Sequence, residues 1–368
     1  MAPKMSSMTP RQRVLTALRH GVPDRVPWVE NAIDEPMQVQ LMGGMNFTPA
    51  DLCRKLGMDG FGGTFPIKGV GSDGNPLEPA RGLIDSYYYP DKVNFDFFNT
   101  YITETVSDAT PGRSFLSRRL LVSEDSLKLF SSFQPDPNHP ARYERVADWI
   151  RKYREDFAVF ARLDLGTGAT IQSMGLEQFS YALFDNPQLV HRIHRLFSDW
   201  AIQTISHLNQ MDFDFFWVMD DIAWNQGPFF SVEVFREFLF PYMQEVAKTI
   251  SKPWIFHSDG NFLPLLGDLT KLGMQAIHPI QPGAMDIAQV KETYGRLLCL
   301  VGNIDLGYTL TRGTPAEVDA EVRDRIEVAG AGGGYIISSA MTITDYCKHE
   351  NIAAMAEAVR KYGSYSAR

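Results

Sequence analysis

The chain has 368 residues, 44% of them apolar and 21% charged, with a net charge of -9. That is enough to bury a sizeable core, and too acidic to favour a nucleic acid or an anionic membrane as partner. Cys53, Cys299 and Cys347 lie far apart with no CxxC, which argues against a disulfide framework or a cysteine zinc finger.

The first ten residues contain no apolar core of signal-peptide length, and no run of about 18 apolar residues occurs. The expectation is a cytoplasmic protein with no membrane span. Thr9-Pro10 predicts a capped helix over Arg11 to Arg19. Short apolar runs then recur, each with a polar or glycine-rich exit: Val26 to Val29, Gly60 to Thr64, Phe157 to Leu165, Phe213 to Met219, Trp254 to Phe256, Ala276 to Ile280, Leu298 to Val301 and Tyr335 to Ile337. Helix-period segments separate the later ones, beginning with Pro187 to Gln210 and Val232 to Ile250.

Such alternation implies a parallel sheet, and eight strands favour closure into a (β/α)8 TIM barrel of class α/β. The absence of GxGxxG after the first strand weakens a dinucleotide-binding reading. One domain over 1–368 is expected, with an insertion at 66–156 between strands two and three. Its aromatics (Tyr87 to Tyr89, Phe95, Phe97, Phe98, Tyr101) and Arg118 to Val122 suggest a β-rich subdomain that could cap the barrel mouth.

In this fold the C-terminal strand ends converge on one cavity. They carry Glu30 and Asn31, then Asp164, Asp220 and Asp221, His257 and Asp259, His278 with Gln281, Asn303 and Asp305, and Ser338 and Ser339. Acids and histidines dominate, and no lysine or arginine stands at the exits themselves. The set suits a divalent cation or proton transfer better than a polyanion. His257 and Asp259, two apart, would share one face of their strand. Asp220 and Asp221 point to opposite faces, so one should meet the cavity while the other caps or supports. Asp164 and His278 each have a structural alternative as loop cap or buried histidine. Ser338 and Ser339 have no obvious partner and no GxSxG around them.

Several stretches together resemble the uroporphyrinogen decarboxylase superfamily. They are Arg11 to Leu18 with Pro23 to Pro27, Asp220-Asp221 with Gly227-Pro228-Phe229, Phe235 to Leu239, His257 to Asn261, Pro279 to Pro282, Gly302 to Asp305 and Gly332 to Ile336. The resemblance covers most of the chain, implies a distorted βα barrel, and is nearest to the corrinoid-linked methyltransferase branch. Departures from the family pattern carry much of the information. Uroporphyrinogen decarboxylases have an arginine-rich carboxylate-binding segment after strand one; here that place reads Trp28 to Glu35, acidic and without arginine, which disfavours a porphyrinogen substrate. The thiol-methylating branch carries His-x-Cys at the strand-five exit, where this chain has His257-Ser-Asp259. The branch that activates methyl donors is described with an acid, an acid fifteen residues on and a histidine twenty-one beyond; Asp221 and His257 fit the outer places, with Arg236 in the middle one and Glu237 beside it.

The resemblance therefore implies Zn2+ held by His257 and Asp221, with Glu237 as third ligand and Asp259 as its alternative, and with His257, Asp259, Asp220 and Asp221 catalytic. Trp28, Glu30, Asn31, Asp164, His278 and Asn303 are the expected substrate contacts, and Trp28, Phe65, Phe216 and Trp224 would suit an aryl donor. The implied reaction is methyl transfer, O-demethylation of an aryl methyl ether being one form, from a small methylated substrate to a corrinoid supplied by a separate corrinoid protein. A homodimer is compatible with it. Two alternatives stay open: a metal-free decarboxylase or lyase on a small carboxylated substrate, and a non-catalytic binding protein.

Overall fold

The computed structural model describes residues 8–64, 121–133, 137, 138, 140 and 143–365. Thr9 caps the first helix, Pro10–Leu18: its hydroxyl accepts from the Gln12 amide, and the Gln12 side chain accepts from the Thr9 amide. Seven strands form one parallel sheet in the order β1 (Gly60–Thr64), β2 (Ala158–Leu163), β3 (Phe215–Met219), β6 (Trp254–His257), β7 (Ala276–His278), β8 (Cys299–Val301) and β9 (Tyr335–Ile336). Between β3 and β6 the chain makes a small antiparallel hairpin, β4 (Ala223–Trp224) with β5 (Gly227–Pro228).

The segment expected as strand one closes the ring by two bridges rather than a full ladder. Trp28 pairs in parallel with Ile337 at one edge of the sheet, and Val29 with Gly60 at the other. Two local causes keep it short. Pro27 has no amide proton to give, and the Trp28 amide is taken by the Asp59 carboxylate at 2.9 Å. The eight expected barrel staves are therefore present, seven as strands and one as a bridging segment.

Side-chain alternation divides the strands between two packed layers. Val29, Ala158, Phe160, Phe215, Trp217, Ile255, Ala276, Cys299, Val301 and Ile336 point inward and pack together with Val14, Ala17 and Leu18 of the first helix, which thus plugs the interior. The alternate residues, among them Val159, Phe216, Phe256, Ile277 and Leu300, pack outward beneath the surrounding helices. Phe216, considered above for an aryl donor, belongs to that outer layer.

The expected helix over Val232 to Ile250 is broken into Val232–Val234, a π-helical turn Phe235–Leu239, and Phe240–Ala247. Pro241, which cannot donate to the i-4 carbonyl, stands at the start of the last piece. Within the expected insertion, residues 124–133 and 144–153 are helical. Its proposed β-hairpin and the aromatics from Phe65 to Tyr101 fall outside the described residues. Among the described residues no helix is long and apolar enough to cross a membrane.

The motif at Arg11 to Leu18 and Pro23 to Pro27 gains a physical reading. Arg13 reaches Asp59 at 2.5 Å and Asp24 at 2.6 Å, and Arg25 reaches Asp59 at 2.8 Å. Asp59 is fully buried, so this network pins the plug helix to the bridging segment. Removing one member of a buried pair leaves the other charge uncompensated. Asp59→Ala should therefore lose about 3–5 kcal/mol of stability in urea unfolding; a loss under about 1 kcal/mol would contradict the role given to the network.

Candidate metal centre

Three ligand-type side chains meet at the C-terminal end of β3 and β6: Asp221, His257 and Asp259, with their donor atoms all within 4.8 Å of one another. His257 ends β6 on the inward phase set by Ile255. Its Nε2 lies 3.6 Å from an oxygen of Asp221 and 3.6 Å from an oxygen of Asp259. Those separations exceed a hydrogen bond. They are close to the roughly 3.3 Å expected between neighbouring atoms of a tetrahedral zinc site with bonds near 2.0 Å.

Hydrogen bonding behind His257 fixes which nitrogen faces the acids. His278 is fully buried, and burial pushes its pKa well below the usual imidazole range, so it is neutral. Its Nε2 lies 3.1 Å from the Ser339 carbonyl, which can only accept, so the proton is on Nε2. The His278 Nδ1 is then a bare acceptor, and the His257 Nδ1 must donate to it across 2.6 Å. His257 consequently turns its other ring nitrogen, Nε2, towards Asp221 and Asp259. Nearby, a buried oxygen of Asp259 has no hydrogen-bond partner. Burial raises Asp259 to about 6, the Asp221 charge adding to the effect and His257 opposing it. Bare acceptors facing one another in a buried place are costly unless a proton or a cation lies between them. The donor set, one imidazole nitrogen and two carboxylates, fits a zinc ion.

The loops are held by backbone contacts. An Asp221 oxygen accepts from the Asp259 amide at 2.9 Å, and Ser258 Oγ accepts from the Ile222 amide at 3.0 Å. Gly260, at φ +80°, lies so close to the hairpin that a Cβ there would sit 2.5 Å from the Trp224 carbonyl. Gln281 joins the two, accepting from the Gly260 amide and donating to Asn225. A cavity of about 780 Å3 opens here, lined by Asp221, Asp259, the amides Asn225, Gln226 and Gln281, and the rings of Trp224 and Phe229. These rings meet edge to face at 4.8 Å, and no lysine or arginine is among the described residues lining the cavity.

The other expected site residues are placed differently. Asp220 is fully buried and accepts from the amides of Leu165 and Gly168, tying β3 to the helix Thr167–Met174; it stands on the opposite phase from the centre. Asp164 accepts from the Gly166 amide in the same loop. Glu237 lies exposed on the π-helical turn and outside the three-residue group, while Arg236 pairs with Asp268 at 2.7 Å. The group that could hold an ion thus has Asp259, and not Glu237, beside Asp221 and His257. Asn31 and Asn303 are buried, accepting from Thr342 and donating to the Ile280 carbonyl respectively.

Trp28 and Glu30 lie on the phase opposite Val29 and do not line the cavity. Glu30 accepts from the Trp28 indole at 2.6 Å, from both hydroxyls of Ser338 and Ser339, and from the Ser339 amide. The two serines without an evident partner in the sequence are therefore bound to an acid 308 and 309 residues away. One inward residue went unnoticed at the strand ends. Arg162, second to last on β2, shares the phase of Ala158 and Phe160 and turns into the barrel. The signal was present as a single basic residue on the inward phase of an apolar strand.

Burial raises Glu30 to about 7 despite its hydrogen-bond donors. A carboxyl whose folded pKa lies above its unfolded value stabilises the fold fully below about pH 4.5 and loses that contribution as pH rises to about 7. Relative to Glu30→Gln, which does not titrate, the wild type should lose about 3 kcal/mol across that window. Urea titrations of both proteins at stepped pH check this, and a pH-independent difference between them would refute it.

The model of the family described as Uroporphyrinogen decarboxylase (URO-D) matches residues 167–362, more than half of the chain, a span that includes Asp221, His257 and Asp259. A Uroporphyrinogen decarboxylase of Methylobacillus flagellatus is 27% identical over 208 residues, 54% of each chain. Methylcobamide:CoM methyltransferase MtaA of Methanosarcina barkeri is 26% identical over 132 residues, 36% of this chain and 38% of that one. The chain thus spans about half the length of the first of these curated relatives and less of the second. Among solved structures, a methyltransferase from Methanosarcina mazei superposes with a TM-score of 0.66 at 17% identity, over 96% of this chain and 99% of that one. At that identity the likeness shows the fold, a TIM-barrel-like α/β architecture. With a family match over more than half its length, on a barrel of that architecture, the chain belongs to the uroporphyrinogen decarboxylase family.

Proposed function

We propose that the chain transfers a methyl group from a small methylated donor to a corrinoid carried by a separate protein, with Zn2+ held by Asp221, His257 and Asp259. The observation that carries this reading is the placement of His257 Nε2 between two carboxylates, with its ring held from behind by His278. Methyl ethers and amines are poor methyl donors because their leaving groups are basic. A cation bound here would supply Lewis acidity towards the donor heteroatom.

The chain's own residues do the rest. His278 holds the tautomer and plane of His257, as hydrogen-bonded partners of metal-binding histidines do. Trp224 and Phe229 form an apolar wall suited to an aryl methyl ether. The half-exposed Asp221 opens onto the cavity, which leaves room for a small donor. The name of the Methanosarcina barkeri relative, a methylcobamide:CoM methyltransferase, supports the corrinoid link. A porphyrinogen fits poorly, since its several carboxylates would meet two acids and no basic residue among the described residues of the cavity lining.

The rise of Asp259 to about 6 favours one competing reading, in which a protonated Asp259 acts as a general acid without metal. Elemental analysis separates the two. About one zinc per wild-type chain, lost in His257→Ala together with at least a hundredfold of donor-dependent corrinoid methylation, is the expected result. His278→Phe should weaken metal binding ten- to a hundredfold while the protein stays folded. Full corrinoid methylation by a metal-free wild type would remove the zinc reading, and unchanged turnover in His257→Ala would remove His257 from the chemistry.

A further inference from the structure

Arg162 lies inside the barrel, on the strand next to Trp217, its register partner on β3. Both side chains take the inward phase, beside Phe160 and Phe215. The Nε of Arg162 and the indole Nε1 of Trp217 are both buried and have no hydrogen-bond partner among the described residues. Among those residues Arg162 also forms no ion pair; its side chain is half-buried, with the Nε withdrawn from water. Two adjacent unsatisfied donors, one of them cationic, call for an anionic acceptor.

The register places them relative to the metal centre. Trp217 pairs with Ile255, two residues before His257, and its ring meets the His278 ring edge to face at 4.9 Å. β2 and β6 are two strand spacings apart, roughly 10 Å. That is about the length of a small aromatic acid together with its contacts at both ends.

We propose that Arg162 and Trp217 form an anion subsite that binds the carboxylate of an aromatic methyl donor, orienting its methoxy group towards Asp221, His257 and Asp259. The donor's identity rests on the methyl-transfer reading; the subsite does not. One guanidinium matches one carboxylate, and the acids at the strand ends oppose any further negative charge. A monocarboxylate therefore fits where a phosphate dianion or a porphyrinogen does not. Arg162 would set specificity and take no part in bond making.

Calorimetric titration of the purified full chain with 4-methoxybenzoate and with its neutral isostere 4-methoxybenzamide tests the subsite without turnover. The wild type should bind the carboxylate at least tenfold more tightly than the amide. Arg162→Met should abolish that preference with the thermal unfolding midpoint unchanged, and Arg162→Lys should restore part of it. Equal affinity for the two ligands in the wild type, an undiminished preference in Arg162→Met, or no saturable binding of the carboxylate would each overturn the proposal. Corrinoid methylation is scored separately. Carboxylate-selective binding that depends on Arg162, with no methylation from any donor, would sink the methyl-transfer reading and leave the subsite standing. Turnover of neutral donors with no effect of Arg162→Met on methoxybenzoate would do the reverse.

Discussion

The 2.6 Å contact between the Nδ1 atoms of His257 and His278 organises the centre. Two imidazoles that close can share only one proton between them, so each ring's state constrains the other. The Ser339 carbonyl decides the outcome from the far side of His278, and Ser339 is itself anchored by Glu30. A line of contacts thus runs from the first stave of the barrel through the last to the ring nitrogen of His257 that meets Asp221 and Asp259. It depends on register: His257 faces His278 across β6 and β7 on the inward phase. A slip of one residue would turn both rings into the outer apolar layer.

Much of the fold was legible because parallel barrel strands are short apolar runs with polar exits, and each such run from Gly60 to Ile337 became a strand near its expected bounds. The first run shrank to bridges for reasons visible only in space, since Asp59 had to be known to compete for the Trp28 amide. At the site, the exits of β3 and β6 carried enough to bring Asp221, His257 and Asp259 to attention. Trp28 and Glu30 were harder, because strand phase decides between interior and outer layer and the bridging segment is too short to display its period. The Glu30 contacts with Ser338 and Ser339 were out of reach, as ring closure joins opposite ends of the chain. Glu237 was suggested by motif spacing alone, and in space it stands exposed on the π turn Phe235–Leu239, outside the group of Asp221, His257 and Asp259.

Charge is arranged by depth. The outer cavity shows two carboxylates, amides and aromatic edges, while the basic Arg162 stands below, inside the strand barrel. With methyl transfer from an aromatic acid, the donor would enter past like charge and settle with its own anion on Arg162. Such layering discriminates by the number of charges a ligand carries as much as by its shape.

Gly260 has a mechanical consequence. With no room for even a methyl group between it and the Trp224 backbone, and with the Trp224 carbonyl accepting from the Asn261 amide at 2.7 Å, the hairpin and the Asp259 loop are geared together. The Trp224 ring, 54% exposed, is the handle of that gear. Pressure on the indole from outside is passed through two peptide units to a carboxylate of the centre, so the protein's surface and its chemistry are not free to move independently.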